Sequence, residues 1–325
     1  MIDFKDKVFD QEITDDYAIY QGDAVAVTKS MPDNSIDYQF QSPPFQSLFT
    51  YSNSDRDLSN STANEFWDHY KFLIDEEFRT LKEGRLISIH CMNLPTSKFR
   101  DGYIGLRDFR GDIIRAYENA GFIYHSEVVV YKDPAVAMQR TKAQPLLHAT
   151  IKKDSCKNRM GLPEYIVTFK KPGENLEPVS GELKFYTGEC LLEGFEKIYL
   201  NDGRYISIPK KYDPWNSVNI WNRFADPIWF DLNETNTLNK KQAKDNRDER
   251  HLSPTNLDLI ERCIQLWSNK GDIVKTSFAG IGSELYVSLK HGRKAVGVEL
   301  KESYFKELKN NMAHAVSVGQ YDLGF

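Results

Sequence analysis

The stretch Ile36-Asp37-Tyr38-Gln39-Phe40-Gln41-Ser42-Pro43-Pro44-Phe45 reads as a strand that stops abruptly. Large side chains alternate over Ile36–Phe40 without a breaker, which is the period-2 pattern of a strand. Ser42-Pro43-Pro44-Phe45 then ends it, because consecutive prolines fix φ and supply no amide donor. A hydroxyl and an aromatic ring thus flank a rigid, donor-free turn at the end of a strand expected to be buried.

Working outward, Met31-Pro32-Asp33-Asn34-Ser35 makes a turn into this strand. Tyr17–Tyr20 before it is a candidate strand, and Asp23–Lys29 a short helix. On the carboxyl side, Phe66, Tyr70, Leu73, Ile74, Phe78 and Leu81 recur at helical spacing over Glu65–Leu81. Gly84 is the expected helix cap before a strand Arg85–Ile89. A helix over Arg110–Asn119 stops at Gly121 and feeds a strand Ser126–Tyr131, and Tyr165–Lys170 reads as another strand. Alternating strands and helices predict a doubly wound α/β sheet.

Past Pro172 the grammar changes. Residues 173–250 are rich in aromatics and turns, with a hairpin expected where Asn201-Asp202-Gly203 joins Lys197–Leu200 to Arg204–Ile208. Asn239–Arg250 is almost wholly polar and reads as a linker. The α/β pattern then resumes, with helices Asn256–Trp267, Ser283–Lys290 and Glu302–Met312 and strands Asp272–Lys275 and Lys294–Glu299. The expected organisation is one α/β domain in two halves, 1–172 and 251–325, around an inserted region 173–250.

The chain has 325 residues, 40% hydrophobic and 27% charged, an ordinary globular balance. No apolar run is long enough for a membrane span, and the amino terminus lacks a secretory pattern. Cys91, Cys156, Cys190 and Cys263 show no CxxC spacing, which argues against a zinc site and a disulfide framework. A cytosolic, reduced protein without a metal is expected. Net charge is −5, yet Lys132, Arg140, Lys142, Lys152, Lys153, Lys157, Arg159, Lys170 and Lys171 crowd one stretch. Such a run is either a polyanion-facing side or a solvated charged loop.

Thr276-Ser277-Phe278-Ala279-Gly280-Ile281-Gly282-Ser283-Glu284 follows one predicted strand and opens a helix. Glycines there admit a ligand to the backbone and to helix N–H groups, although glycine turns also serve structure alone. The GxG spacing is not the GxGxxG of dinucleotide sites. Glu299 ends the next predicted strand, where an acidic residue can accept both hydroxyls of a ribose.

Phe278–Gly282 resembles the FxGxG motif of S-adenosylmethionine-binding methyltransferases, and Ser42–Phe45 the [DNS]PP[YFW] motif of DNA amino-methyltransferases. With the catalytic motif first and the cofactor motif last, the chain resembles the permuted β group of N4-cytosine and N6-adenine enzymes. Gly22-Asp23 with MPDNSID, and NLDLIER over Asn256–Arg262, add to the likeness. The resemblance implies a Rossmann-like fold in permuted order, with residues 173–250 as target-recognition region. Phe278, Ala279, Gly280 and Gly282 would line the methionine side of S-adenosylmethionine and Glu299 would bind its ribose. Asp23 would contact adenine, or only cap a helix. Ser253 lies in His251-Leu252-Ser253-Pro254, where relatives place a cofactor loop, but the usual HPTxKP is absent. Thr276-Ser277 replaces the usual Asp-Pro.

By the same resemblance, Ser42 and the Pro43 carbonyl would accept hydrogen bonds from an exocyclic amine, and Phe45 would stack on a flipped base beside Pro44. A serine at the head of the motif favours cytosine N4, with adenine N6 the alternative. Amine methylation of RNA or of a protein glutamine, and an inactive nucleic-acid-binding module, are more distant readings. None of the cysteines follows a proline, so the nucleophile of cytosine-C5 enzymes is missing. Double-stranded DNA is the implied partner, with room for a homodimer and a cognate restriction nuclease, in a bacterial or phage-encoded cytoplasmic setting. Arg140, Lys142, Lys152 and Lys153 are the phosphate-contact candidates. Tyr205, Tyr212, Trp215, Trp221 and Trp229 could contact bases or form a core. His90 and His148 could be bases or structural residues.

Overall fold

The computed structural model describes residues 8–44, 63–141, 146–188, 197–199, 205–207, 217–239 and 254–322. Strands β1 (Asp10–Ile13), β2 (Tyr17–Gln21), β3 (Ile36–Gln41) and β4 (Leu81–Cys91) come first. Then follow β5 (Ile123–Val130), β6 (Glu164–Lys170), β7 (Ile228–Trp229), β8 (Ile273–Thr276) and β9 (Lys294–Glu299). The helices considered are α1 (Ala24–Lys29), α2 (Ala63–Thr80), α3 (Phe109–Asn119), α4 (Pro134–Thr141) and α5 (His148–Lys153). After these come α6 (Ser217–Phe224), α7 (Leu257–Trp267), α8 (Ser283–Lys290) and α9 (Glu302–Asp322).

The strands form one sheet in the order β1-β2-β9-β8-β3-β4-β6-β5-β7. From β2 through β9, β8 and β3 to β4 every pairing is parallel, and β6 runs antiparallel to both β4 and β5. β3 lies at the centre and is buried at all six positions. On one face Ile87 and Ile89 pack under Phe66, Tyr70, Leu73 and Ile74 of α2 and Phe109, Ile113 and Tyr117 of α3. On the other, Tyr38 and Phe40 pack under Leu259, Ile260, Cys263 and Ile264 of α7. Helices on both faces of a mostly parallel sheet are the doubly wound architecture the alternation predicted.

Gly84 corrects one expectation. It does not cap α2, which ends at Thr80; it lies inside β4, where Ile36 pairs with Leu81 but Tyr38 with Leu86. Four residues of β4 therefore bulge against Asp37 alone. Gly84 has φ +70, and an added Cβ would sit 2.4 Å from the Asn175 nitrogen. The glycine serves a bulge rather than a cap. The last helix is also longer than read, because Leu308, Met312 and Ala315 continue its buried face.

Within residues 173–250, Lys197–Tyr199 pairs with Tyr205–Ser207 as an antiparallel ribbon, with Tyr199 opposite Tyr205. β7 joins the main sheet parallel to β5. Trp229 is fully buried beside α7, and next to it Asp231 meets Arg262 of α7 at 2.9 Å with both side chains inaccessible to solvent. Trp221 is exposed. Tyr212 and Trp215 lie outside the described residues.

Candidate active site

Parallel pairing of β2, β9, β8, β3 and β4 brings their carboxyl ends to one edge, where open α/β sheets hold ligands. β3 delivers Ser42, Pro43 and Pro44 to that edge; Pro43 is buried and its two neighbours are partly so. Beside it β8 delivers the glycine turn. Lys275 pairs with Gln39, and two residues on the Ser277 N–H donates to Gln41 Oε1 at 3.4 Å. The two turns therefore leave the sheet side by side. Phe45, which completes the first turn, lies outside the described residues.

The glycine turn is held against β9. Ala279 N–H donates to the Val298 carbonyl at 2.9 Å, and Gly280 N–H to Glu299 Oε2 at 2.8 Å. The other carboxylate oxygen accepts from Lys301 N–H at 2.8 Å. Gly280 and Gly282 have φ of +53 and +93, values that favour glycine. Across the β2–β9 pairing, Gly22 N–H donates to the Glu299 carbonyl at 3.0 Å, which sets Asp23 beside Glu299. Asp23 caps α1, its Oδ1 accepting from Ala26 N–H at 2.8 Å. Phe278 turns toward α2, its ring 6.1 Å from that of Tyr70.

Below the two turns runs a buried polar network that sequence reading missed. Gln41 Nε2 donates to the Tyr117 hydroxyl at 3.0 Å and the Tyr70 hydroxyl at 3.2 Å. Tyr117 donates to Glu77 Oε2 and Ser277 to Glu77 Oε1, each at 2.8 Å. Lys275 Nζ donates to Ser277 Oγ at 2.7 Å. Burial pushes Lys275 down to about 8, with Glu77 pulling the other way. Ser277 is thus engaged by α2. The available signal was a lysine in the middle of an apolar strand and glutamines at alternate positions of β3.

A second cluster lies on the opposite face of the same edge. His90 Nε2 meets Glu164 Oε2 at 2.9 Å, and Lys132 Nζ lies 3.1 Å from that oxygen. Burial alone would raise Glu164, but His90 and Lys132 overcome it and hold the carboxyl at about 2. Thr255 donates to Glu284 Oε1 at 2.8 Å, tying the segment before α7 to the first turn of α8. Burial pushes Glu284 up to about 7, against the Thr255 bond and the His90 charge. Ser253, two residues earlier, lies outside the described residues.

The basic stretch also reaches this edge, since β5 ends and β6 begins there. It carries α4 and α5. Lys152 and Lys153 are exposed in the last turn of α5. Arg140 lies in α4, while its side chain and Lys142 fall outside the described residues. His148 is exposed at the start of α5.

With this geometry the comparison with known proteins is direct. Residues 36–310 match the family model described as DNA methylase. The chain belongs to the DNA methylase family. The model spans N6 and N4 methyltransferases, so membership leaves both amines open. The chain is 23% identical over 289 residues to the Type II methyltransferase M.BamHI of Bacillus amyloliquefaciens, covering 88% of this chain and 55% of that one. It spans about half the length of that relative. Among solved structures, TTHA0409 of Thermus thermophilus, complexed with S-adenosyl-L-methionine, aligns at 22% identity and TM-score 0.58 over 92% of this chain and 95% of that one. The cytosine-N4-specific PvuII DNA methyltransferase aligns at 15% identity and TM-score 0.57 over 94% and 92%. These two likenesses establish the Rossmann-like methyltransferase fold. No helix among the described residues is long and apolar enough to cross a membrane.

Proposed function

We propose that this methylase transfers a methyl group from S-adenosylmethionine to the exocyclic amine of a base flipped out of double-stranded DNA, and that the base is cytosine, modified at N4. The observation that carries the reading is the adjacency of the Ser42–Pro44 turn and the glycine turn at one sheet edge.

The cofactor fits this edge. A Cβ added at Gly280 would meet nothing within 4 Å among the described residues, so the turn has room for a ligand against its backbone. Glu299 is fixed at the end of β9 by two backbone amides. Glu299 would hold the ribose hydroxyls, Asp23 the adenine edge, and residues 278–282 the methionine portion. Ser253 would meet its carboxylate. When bound, the cofactor supplies an electrophilic methyl on sulfur.

The protein's part is to prepare the amine. An exocyclic amine is a weak nucleophile because its lone pair is delocalised into the ring. Acceptors at Ser42 Oγ and the Pro43 carbonyl would draw its N–H bonds out of plane and localise that pair. The proline ring fixes the carbonyl's direction, so no reorganisation is needed at the moment of reaction. Phe45 would stack on the flipped base, and Arg140, Lys142, Lys152 and Lys153 would meet backbone phosphates. Serine rather than aspartate heads the turn, which supports cytosine over adenine.

The test is incubation with labelled S-adenosylmethionine and DNA of mixed sequence, followed by mass spectrometry of the nucleosides. N4-methylcytosine is expected. N6-methyladenine would overturn the choice of base, and unlabelled DNA would overturn the DNA reading altogether.

A further inference from the structure

We infer that His90, held by Glu164, is the acceptor for the proton that amine methylation releases; this rests on the transfer reaction proposed above. The argument begins with register. Gln41, the last residue of β3, pairs with Ile89 of β4, so Ser42 leaves the sheet level with His90 of the neighbouring strand, neighbouring strands lying about 4.8 Å apart. His90 shares its face of β4 with Ser88, which is hydrogen-bonded to Thr168, while Ile89 and Cys91 face α2 and α3. The imidazole therefore stands beside the residue assigned to the amine, on the side away from the Gln41 network.

Its two nitrogens are differently engaged. Nε2 is bonded to the Glu164 carboxylate, which Lys132 also contacts. Nδ1 is buried and has no hydrogen-bond partner among the described residues. His90 is 8% exposed, and a buried polar atom without a partner demands an explanation. A carboxylate bonded to Nε2–H fixes the tautomer in which Nδ1 carries the lone pair, so an unbonded basic nitrogen is prepared on the strand beside the one that leads into Ser42. Among the described residues, the titratable groups acting on the ring are Glu164 from β6, Lys132 from the segment after β5, and Glu284 from α8, the last neutral below about pH 7.

The step balances. The amine lone pair forms the N–C bond as the C–S bond breaks with its pair left on sulfur. The positive charge formerly on sulfur is then on nitrogen, which carries one proton too many. Once the base is bound and the Ser42 hydroxyl turns onto Nδ1, a bond not made in the protein alone, that proton passes to Ser42 Oγ as the serine's own proton passes to His90 Nδ1, and the imidazolium is stabilised by Glu164 until it loses the proton to water. A serine cannot retain a proton as a carboxylic acid can, so a serine-headed turn needs a further acceptor.

The test uses the whole chain with selectively ¹⁵N-labelled histidine, the His90 signals being assigned by their loss in His90→Gln. Wild-type His90 is expected as the Nε2–H tautomer with unprotonated Nδ1 above its titration; the opposite tautomer overturns the proposal. In single-turnover methylation across pH, wild type should lose rate on the acid side. His90→Gln should bind S-adenosylmethionine normally by calorimetry, run about a hundredfold slower and lack that acid limb. Glu164→Gln, which keeps the imidazole, should fall between the two. An active wild type with an unchanged rate and profile in His90→Gln overturns the role of His90 and leaves the function standing. Loss of cofactor binding in both variants makes the cluster structural and overturns it equally. A wild type that labels no DNA overturns the transfer reading and this inference with it.

Discussion

A Cβ added at Gly280 would meet nothing within 4 Å among the described residues, whereas one added at Gly282 would press within 2.4 Å of Leu308 Cδ1 and 2.9 Å of Met312 Cε. Two glycines of one motif therefore answer to different forces. Gly280→Trp should fill the space beside Glu299 and abolish S-adenosylmethionine binding while leaving the fold intact. Gly282→Ala should instead destabilise the protein by about 1–3 kcal/mol through strain at φ +93 and overpacking against α9. Calorimetry and urea unfolding separate the two. The Ser42–Pro44 turn gives a further contrast, because Pro43 is proposed to meet the reacting base rather than the cofactor. Pro43→Ala should keep the wild-type cofactor affinity and lower the single-turnover rate. Equal loss of binding in Gly280→Trp and Pro43→Ala would mean that the two turns do not divide base from cofactor.

At the scale of elements, β3, β8, α2 and α3 are joined by the Gln41–Glu77–Lys275 network as well as by apolar packing. Glu77 is fully buried and accepts from both Tyr117 and Ser277, and it opposes the burial penalty on Lys275. Removing it alone strands a buried ammonium group. Glu77→Leu should therefore lose roughly 3–5 kcal/mol, and adding Lys275→Met should recover much of that loss. Urea unfolding of the two single variants and the double variant checks this; a double variant no more stable than Glu77→Leu would show that Lys275 does not depend on Glu77. This network also marks where sequence reading ends. Strand and helix periods and the two motifs are local patterns, so the order of elements and the turns at their ends were legible in the chain. The Ser277–Gln41 bond joins residues 236 apart, and no local period encodes it. Gly84 misled for a related reason: a glycine after a helix resembles a cap until the register of the neighbouring strand reveals a bulge.

Across the whole molecule, the two carboxylates that frame the candidate site give opposite dependences of stability on pH. Glu164 lies at about 2, below its ordinary 4.5. Its contribution is present above pH 4.5 and is lost as the pH falls toward 2. Glu284 lies at about 7, above its ordinary 4.5, because it is buried in the first turn of α8. The folded protein holds that proton more tightly than the unfolded chain, so its contribution is complete below pH 4.5 and disappears as the pH rises through 7. A shift of this size corresponds to on the order of 3 kcal/mol. Glu284→Gln keeps the shape and the capacity to accept from Thr255 but cannot ionise. It should flatten the decline in stability between pH 4.5 and 7 while leaving the acid-side loss due to Glu164 in place. Urea unfolding at intervals across that range reads both limbs in one series. If the decline between pH 4.5 and 7 has the same slope in Glu284→Gln as in wild type, the proton is held elsewhere. If it flattens, the Thr255–Glu284 bond, which ties the segment before α7 to the helix opened by the glycine turn, is made with a neutral carboxyl below pH 7 and with a carboxylate above it.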